Sequence, residues 1–147
     1  MADVLSREQR SYCMSRIRGK NTKPEYILRR GLFAMGFRYR LHRRSLPGCP
    51  DLVFPKLRAV VFMHGCLWHK HECPSFRWPK TNAEFWRNKI ARNCRNDANN
   101  ILKLNAEGWR VLVVWECTVR RKRSATINGV MSQIARWLLH GSKRREI

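Results

Sequence analysis

The chain has 147 residues, enough for one domain with a real core, and carries 31 Lys plus Arg against 10 acidic residues, a formal net charge of +21. Such an excess repels itself in a compact fold and calls for a polyanionic partner: nucleic acid before an anionic membrane, for which no clear basic amphipathic helix or lipid signal is present. The opening residues lack an apolar signal core and no run reaches membrane-spanning length, so a cytoplasmic, nucleoid-associated protein is expected, its six cysteines serving as thiols or metal ligands rather than disulfides.

Residues 1–21 are polar and basic. Ser6 is placed to cap a short helix over Arg7 to Arg18, whose Tyr12, Met14 and Ile17 are scattered, which suits an arm lying on a partner better than a core element. Thr22-Lys-Pro-Glu25 is a capping-box pattern opening a helix to about Met35, with Ile27, Leu28, Gly31, Leu32 and Met35 inward and Gly36 at its C-terminal stop. Glu25 therefore reads either as a cap or as an acid near a metal. Phe37 to His42 alternates apolar and polar, as a half-buried strand does. Strands are predicted at 51–54 and 58–64, joined by Pro55-Lys56, and 65–80 has no period and reads as loop.

Thr81-Asn-Ala-Glu84 is a second capping-box pattern, opening a long helix to about Glu107 that Gly108 stops. Phe85, Trp86, Ile90, Cys94, Ile101, Leu102 and Leu104 form its expected buried face; Arg87, Lys89, Arg92, Arg95 and Lys103 form a basic one. Trp109 to Glu116 is apolar enough for a central strand. A last helix is predicted over Ser124 to His140, with solvated basic flanks at 120–123 and 143–145 that can add phosphate contacts. A strand after a long crossover helix lies parallel to an earlier strand, so the fold class is α/β, a mixed central sheet flanked by helices. The expected organisation is a basic arm, 1–21, and a single domain, 22–147.

Chemistry gathers at the predicted hairpin and the loop after it. Cys66, His71 and Cys73 are zinc-type ligands within eight residues, and a structural zinc wants a fourth. Cys117, at the end of the central strand, is the first candidate, with Cys13, Cys49 and Cys94 as alternatives. Asp51 opens a strand, where it acts either as a turn cap or as a ligand holding a divalent metal against a scissile phosphate; magnesium needs only one or two protein carboxylates. His64 and His69 are spare imidazoles able to take a proton from an attacking water. Asp97 has two readings, an intrahelical ion pair or an acid orienting a histidine or a hydrated metal. Trp68 in a polar loop either packs on its neighbours or enters DNA, where unstacking is cheapest at a mismatch.

The runs Pro-Asp-Leu-Val-Phe, Val-Val-Phe-Met-His-Gly-Cys-Leu-Trp-His-Lys-His-Glu-Cys, Glu-Phe-Trp-Arg-Asn-Lys-Ile and Gly-Trp-Arg-Val-Leu-Val-Val-Trp-Glu-Cys, with Asp97, resemble the very-short-patch repair (Vsr-type) DNA mismatch endonucleases from Arg10 to about Cys117. The resemblance implies a fold related to type II restriction endonucleases and a strand-specific nick 5′ to the thymine of a T:G mismatch, the product of 5-methylcytosine deamination. It implies that Asp51 and the Met63 backbone carbonyl bind magnesium, that His69 is the general base, and that His64, Asp97 and Glu25 support the hydrated metal and the phosphate. It matches Cys66, His71, Cys73 and Cys117 to a structural zinc. It makes Leu67 and Trp68 a wedge beside the mismatch, with Met14 entering from the other groove. Three positions depart from the family pattern: Met63 stands for Thr, Leu67 for Phe and Lys70 for His. The partners expected are mismatched double-stranded DNA and possible mismatch-repair proteins, with the chain a monomer. The rival classes are a zinc-stapled DNA-binding protein without catalysis and a ribosome-type RNA-binding protein.

Overall fold

The computed structural model describes residues 4–17 and 19–147. Among them the helices are α1 (Arg7–Ser15), α2 (Lys23–Ala34), α3 (Ala83–Ala106) and α4 (Ser124–His140). The strands are β1 (Arg40–Leu41), β2 (Leu52–Phe54), β3 (Ala59–His64), β4 (Arg110–Trp115) and β5 (Arg144–Glu146). They form one sheet in the order β1-β2-β3-β4-β5. The β1–β2 and β2–β3 pairs are antiparallel, and β3–β4 and β4–β5 are parallel. The expected mixed sheet between helices is therefore present, with β4 parallel to β3 after the crossover through α3.

Side chains alternate between the two faces of a strand, and both faces here are covered. Leu52, Val61, Leu112 and Val114 pack with Leu28 and Leu32 of α2 and Ile134, Trp137 and Leu138 of α4. Val53, Val60, Phe62, Val111 and Val113 pack with Ile101 and Leu104 of α3. Burial on both sides is why β3 and β4 read as nearly unbroken apolar runs.

The helix stops follow from glycine. Gly36 (φ +94°) and Gly108 (φ +85°) adopt the left-handed conformation that L side chains avoid. Phe37 N–H then bonds Leu32 O at 3.0 Å, and Trp109 N–H bonds Leu104 O at 2.9 Å, satisfying carbonyls the helix leaves open.

Several local expectations are corrected. α1 ends at Ser15, and Arg18, the expected helix end, lies outside the described residues, as do residues 1–3 of the arm. Met35 caps α2 and is exposed rather than inward. The half-buried strand over Phe37–His42 shrinks to Arg40–Leu41, because His42 turns the chain with φ +44°. The second capping box does not form: Asn82 caps α3 in the left-handed region, and the Thr81 hydroxyl accepts from Arg10 instead. Phe85 and Leu102 of α3 are exposed: Phe85 lies in the first turn, away from the core, and Leu102, between the buried Ile101 and Leu104, falls on the helix's outer side. The flank at 143–145 is not a free tail. It pairs its backbone along the open edge of β4, while Ile147 packs on the core.

Arg110 ties α4 to that sheet. Its guanidinium donates to the Trp137, Leu138 and Leu57 carbonyls at 2.8, 2.7 and 3.0 Å. Two of these belong to the last turn of α4, where a cation also opposes the negative end of the helix dipole. Arg110→Met takes the guanidinium donor from the Leu138 and Leu57 carbonyls, while Trp137 O keeps the Gly141 N–H, and is expected to lower the unfolding free energy by about 2–3 kcal/mol. Urea denaturation measures it, and no shift in the midpoint would show that the carbonyls find other donors.

Candidate active site

Parallel pairing sets His64 of β3 beside Trp115 of β4, so the segments leaving both strands emerge at the same end of the sheet. Asp51 precedes β2 at that end. Its Oδ2 accepts the Met63 N–H at 2.8 Å. Burial pushes the Asp51 carboxyl up to about 7; the Met63 N–H opposes that shift and the neighbouring Glu25 adds to it.

Glu25 is only 3% exposed at the start of α2. Thr22 Oγ1 accepts the Glu25 N–H at 3.5 Å, but the Glu25 carboxylate does not close a reciprocal box. It accepts from Asn21 N–H at 3.0 Å and from Arg29 Nη2 at 2.7 Å. The backbone of Glu25 joins the cap, while its buried carboxylate pairs with Arg29 and lies near His42. His42 bridges the two acids, Nδ1 lying 3.6 Å from Asp51 Oδ1 and Nε2 3.5 Å from Glu25 Oε2. Burial holds its pKa below the ordinary value. Glu25, His42 and Asp51 each offer one ligand atom within 4.8 Å of the others.

The His64 and His69 rings are stacked, with centroids 3.8 Å apart and planes 6° apart. Burial, then the neighbouring His69, draws the His64 pKa down to about 3, so this ring is neutral. His69 Nδ1 is hydrogen-bonded to Asp97 Oδ2. Asp97 reaches across from α3 to the loop, and that contact, rather than an intrahelical ion pair, is what it makes. Asp51, His42, Met63, His64, His69 and Asp97 line one cavity of about 580 Å³, with Lys20 and Arg44 at its border.

The soft ligands converge separately. Cys66, His71, Cys73 and Cys117 bring one donor atom each to within 4.8 Å of the others, and Cys13, Cys49 and Cys94 are not in that group. Cys66 Sγ and Cys117 Sγ lie 3.5 and 3.4 Å from His71 Nδ1. Burial pushes the Cys66 thiol up to about 12. Three sulfurs and one imidazole at this spacing have the donor chemistry of a closed tetrahedral soft-metal site. Trp115 carries the assembly: His71 stacks on it at 4.3 Å and 7°, and the His64 and His69 rings meet it edge-on.

A second cavity, of about 1070 Å³, adjoins the first at Met63 and His69 and holds Met14, Leu67 and Trp68 together with Lys89 and Arg120. Trp68 does pack on a neighbour, the Trp86 ring at 5.4 Å, and Lys89 Nζ lies 5.2 Å from its centroid. It also lines the open cleft, so the two sequence readings of Trp68 are compatible. Sequence reasoning missed His42 and Arg29. His42 closes an ordinary strand pattern and Arg29 is one of 31 basic residues, so neither carries a local signal.

Carboxylates and imidazoles converging beside a cleft of a strongly basic chain define a candidate hydrolase of nucleic acid. The family model for the DNA mismatch endonuclease Vsr matches residues 2–75. The Type II nicking enzyme V.XorIIP of Xanthomonas oryzae is 50% identical over 117 residues, covering 80% of this chain and 86% of that protein. The DNA mismatch endonuclease Vsr of Escherichia coli is 40% identical over 138 residues, covering 94% and 88%. The chain belongs to the Vsr family of DNA mismatch endonucleases.

Trp115 is 8% exposed and touches three of the site histidines. Trp115→Ala is expected to cost about 3–5 kcal/mol of stability, as large aromatic deletions do. Hydrogen exchange should also quicken at the backbone amides of 66–73. Unchanged exchange there would show that the loop does not depend on the sheet beneath it.

Proposed function

We propose that the chain nicks one strand of duplex DNA on the 5′ side of the thymine in a T:G mismatch, by metal-assisted phosphodiester hydrolysis. The observation that carries this reading is the meeting of Asp51 and the His69–Asp97 pair in one cavity, next to a cleft holding Met14, Leu67 and Trp68. The choice of T:G rests on the family resemblance. Physically, a mismatch is where a wedge unstacks the duplex at least cost. Leu67 offers a smaller wedge than the expected Phe, with Trp68 beside it.

Asp51 fits a magnesium ligand. Its desolvated carboxylate sits beside Glu25, and two carboxylates in so little space favour a cation between or near them. The Met63 carbonyl is the second proposed ligand, and a Met side chain costs nothing there if only the carbonyl binds. When bound, magnesium polarises the phosphoryl oxygen and stabilises charge on the leaving oxygen. Asp97 holds His69 through Nδ1, which leaves Nε2 to take the proton from the attacking water. His64, kept neutral by burial, supports His69 face to face. Cys66, His71, Cys73 and Cys117 hold a structural zinc that fixes the loop carrying His69 and Trp68. The arm, residues 1–21, adds contacts to DNA, and the basic helix faces add salt-sensitive affinity for phosphates. The strand arrangement around Asp51 is compatible with a restriction-endonuclease-like core. We take the chain to act as a monomer in the bacterial cytoplasm.

Asp51→Asn is expected to cut nicking of a T:G duplex by more than about 100-fold while sparing mismatch binding. A strand-resolved cleavage assay with magnesium, run beside binding to T:G duplex, matched duplex and structured RNA at one salt concentration, tests the reading. Full nicking by the variant removes Asp51 from the chemistry, and preference for RNA overturns the substrate. Elemental analysis should find about one zinc per chain, the stoichiometry of a four-ligand site. Cys73→Ala should lose the metal and fold poorly; a stable, active, zinc-free variant would remove the staple.

A further inference from the structure

We infer that His42 is a positioning residue: Arg29 fixes its tautomer, and its Nδ1–H then orients the Asp51 carboxylate. This rests on the proposed role of Asp51. Arg29 is 7% exposed, and its Nη2 lies 2.9 Å from His42 Nε2, 2.9 Å from Asn21 Oδ1 and 2.7 Å from Glu25 Oε2. A guanidinium only donates hydrogen bonds. The 2.9 Å approach of Nη2 to His42 Nε2, closer than the 3.5 Å from that nitrogen to Glu25 Oε2, favours a lone pair on Nε2 and the ring proton on Nδ1, although Nη2 shares two protons among three acceptors. Nδ1 faces Asp51 Oδ1 at 3.6 Å, while the Met63 N–H holds Oδ2 at 2.8 Å. The two carboxylate oxygens are thus addressed by two donors from different elements, which sets the plane of the group. The Nδ1 contact is longer than a hydrogen bond and orients Oδ1 by the attraction of a dipole aimed at it.

The backbone supports the same role. His42 is a non-glycine residue at φ +44°, and its N–H reaches back to Asp51 O at 3.3 Å. Arg29 is itself pinned: its guanidinium lies over the Tyr26 ring at 5.1 Å, and its carbonyl accepts from the Tyr39 hydroxyl at 2.9 Å. The chain from Arg29 through His42 to Asp51 therefore runs from a rigid helix face into the cavity.

Long-range 1H–15N NMR of the zinc-loaded, magnesium-free protein reads the tautomer directly. The Nδ1–H form of His42 is expected in the wild type, and loss of that preference in Arg29→Met. Wild-type His42 in the Nε2–H form overturns the inference. In nicking assays, His42→Leu is expected to raise the magnesium concentration for half-maximal rate by about 10-fold, the scale of a lost supporting partner, with affinity for the mismatched duplex unchanged. His42→Asn carries an N–H close to the Nδ1 position and tolerates the left-handed backbone, so it should return the requirement to within about threefold. Equal loss in both variants marks a merely structural residue and overturns the proposal. So does a wild-type magnesium requirement in His42→Leu when Asp51→Asn is inactive, and that result leaves the role of Asp51 standing. An Asp51→Asn enzyme of full activity instead brings down the Asp51 reading, and the function of His42 with it.

Discussion

The parallel pairing of β3 with β4 is the constraint on which the site depends. Its register sets Met63 beside Val114 and His64 beside Trp115. Parallel strands end at the same edge, so the loop after β3 and the turn after β4 must share space there. Cys66, His71 and Cys73 come from the first and Cys117 from the second. Forty-three residues lie between Cys73 and Cys117 in the chain, yet their donor atoms meet because α3 carries the chain back to start β4 alongside β3. The same α3 brings Asp97 to His69.

Electrostatics then sorts the few acids. Ten carboxylates face 31 basic side chains, so most acids have cations within easy reach in solution. Glu25 and Asp51 are instead drawn out of water and placed near one another. Arg29 hydrogen-bonds Glu25 directly, whereas Asp51 accepts the Met63 N–H, has His42 Nδ1 at 3.6 Å and feels Arg29 and His69 through space. Asp51 is thus the more sparsely partnered of the two acids, as the proposed metal role requires. His64 and His69 differ as well: burial keeps the first neutral, and Asp97 holds the second.

The loop after β3 has no regular hydrogen-bond ladder, and short turns hold it, such as His71 N–H to Cys66 O at 2.9 Å and Cys73 N–H to His71 O at 2.8 Å. Side chains supply the rest. Asn93 of α3 donates to Trp68 O at 3.0 Å, and Glu116 accepts the Cys66 N–H at 3.2 Å. His71 lies flat on Trp115. Each tie reaches a regular element, so the wedge candidates Leu67 and Trp68 stand on a loop anchored to both the sheet and α3. Aromatic edges can then face solvent without the loop collapsing over them.

Local pattern by itself determined the helix starts at Ser6 and Thr22, the glycine stops at 36 and 108, the apolar strands and their parallel crossover, because these obey rules spanning a few residues. Residue types and spacing also marked Asp51, His64, His69, Asp97 and the Cys/His set, since such residues are rare in so basic a chain. Tertiary structure alone decided that Asp97 turns to His69 instead of a neighbouring arginine, and that Glu25 turns its carboxylate inward. It alone made a strand of 144–146, where exposed Arg side chains hide a backbone satisfied by the β4 edge. It alone set His42 between two acids and under Arg29. Those outcomes depend on which groups meet across the sheet and which are denied water, and neither is written in any short window of the chain.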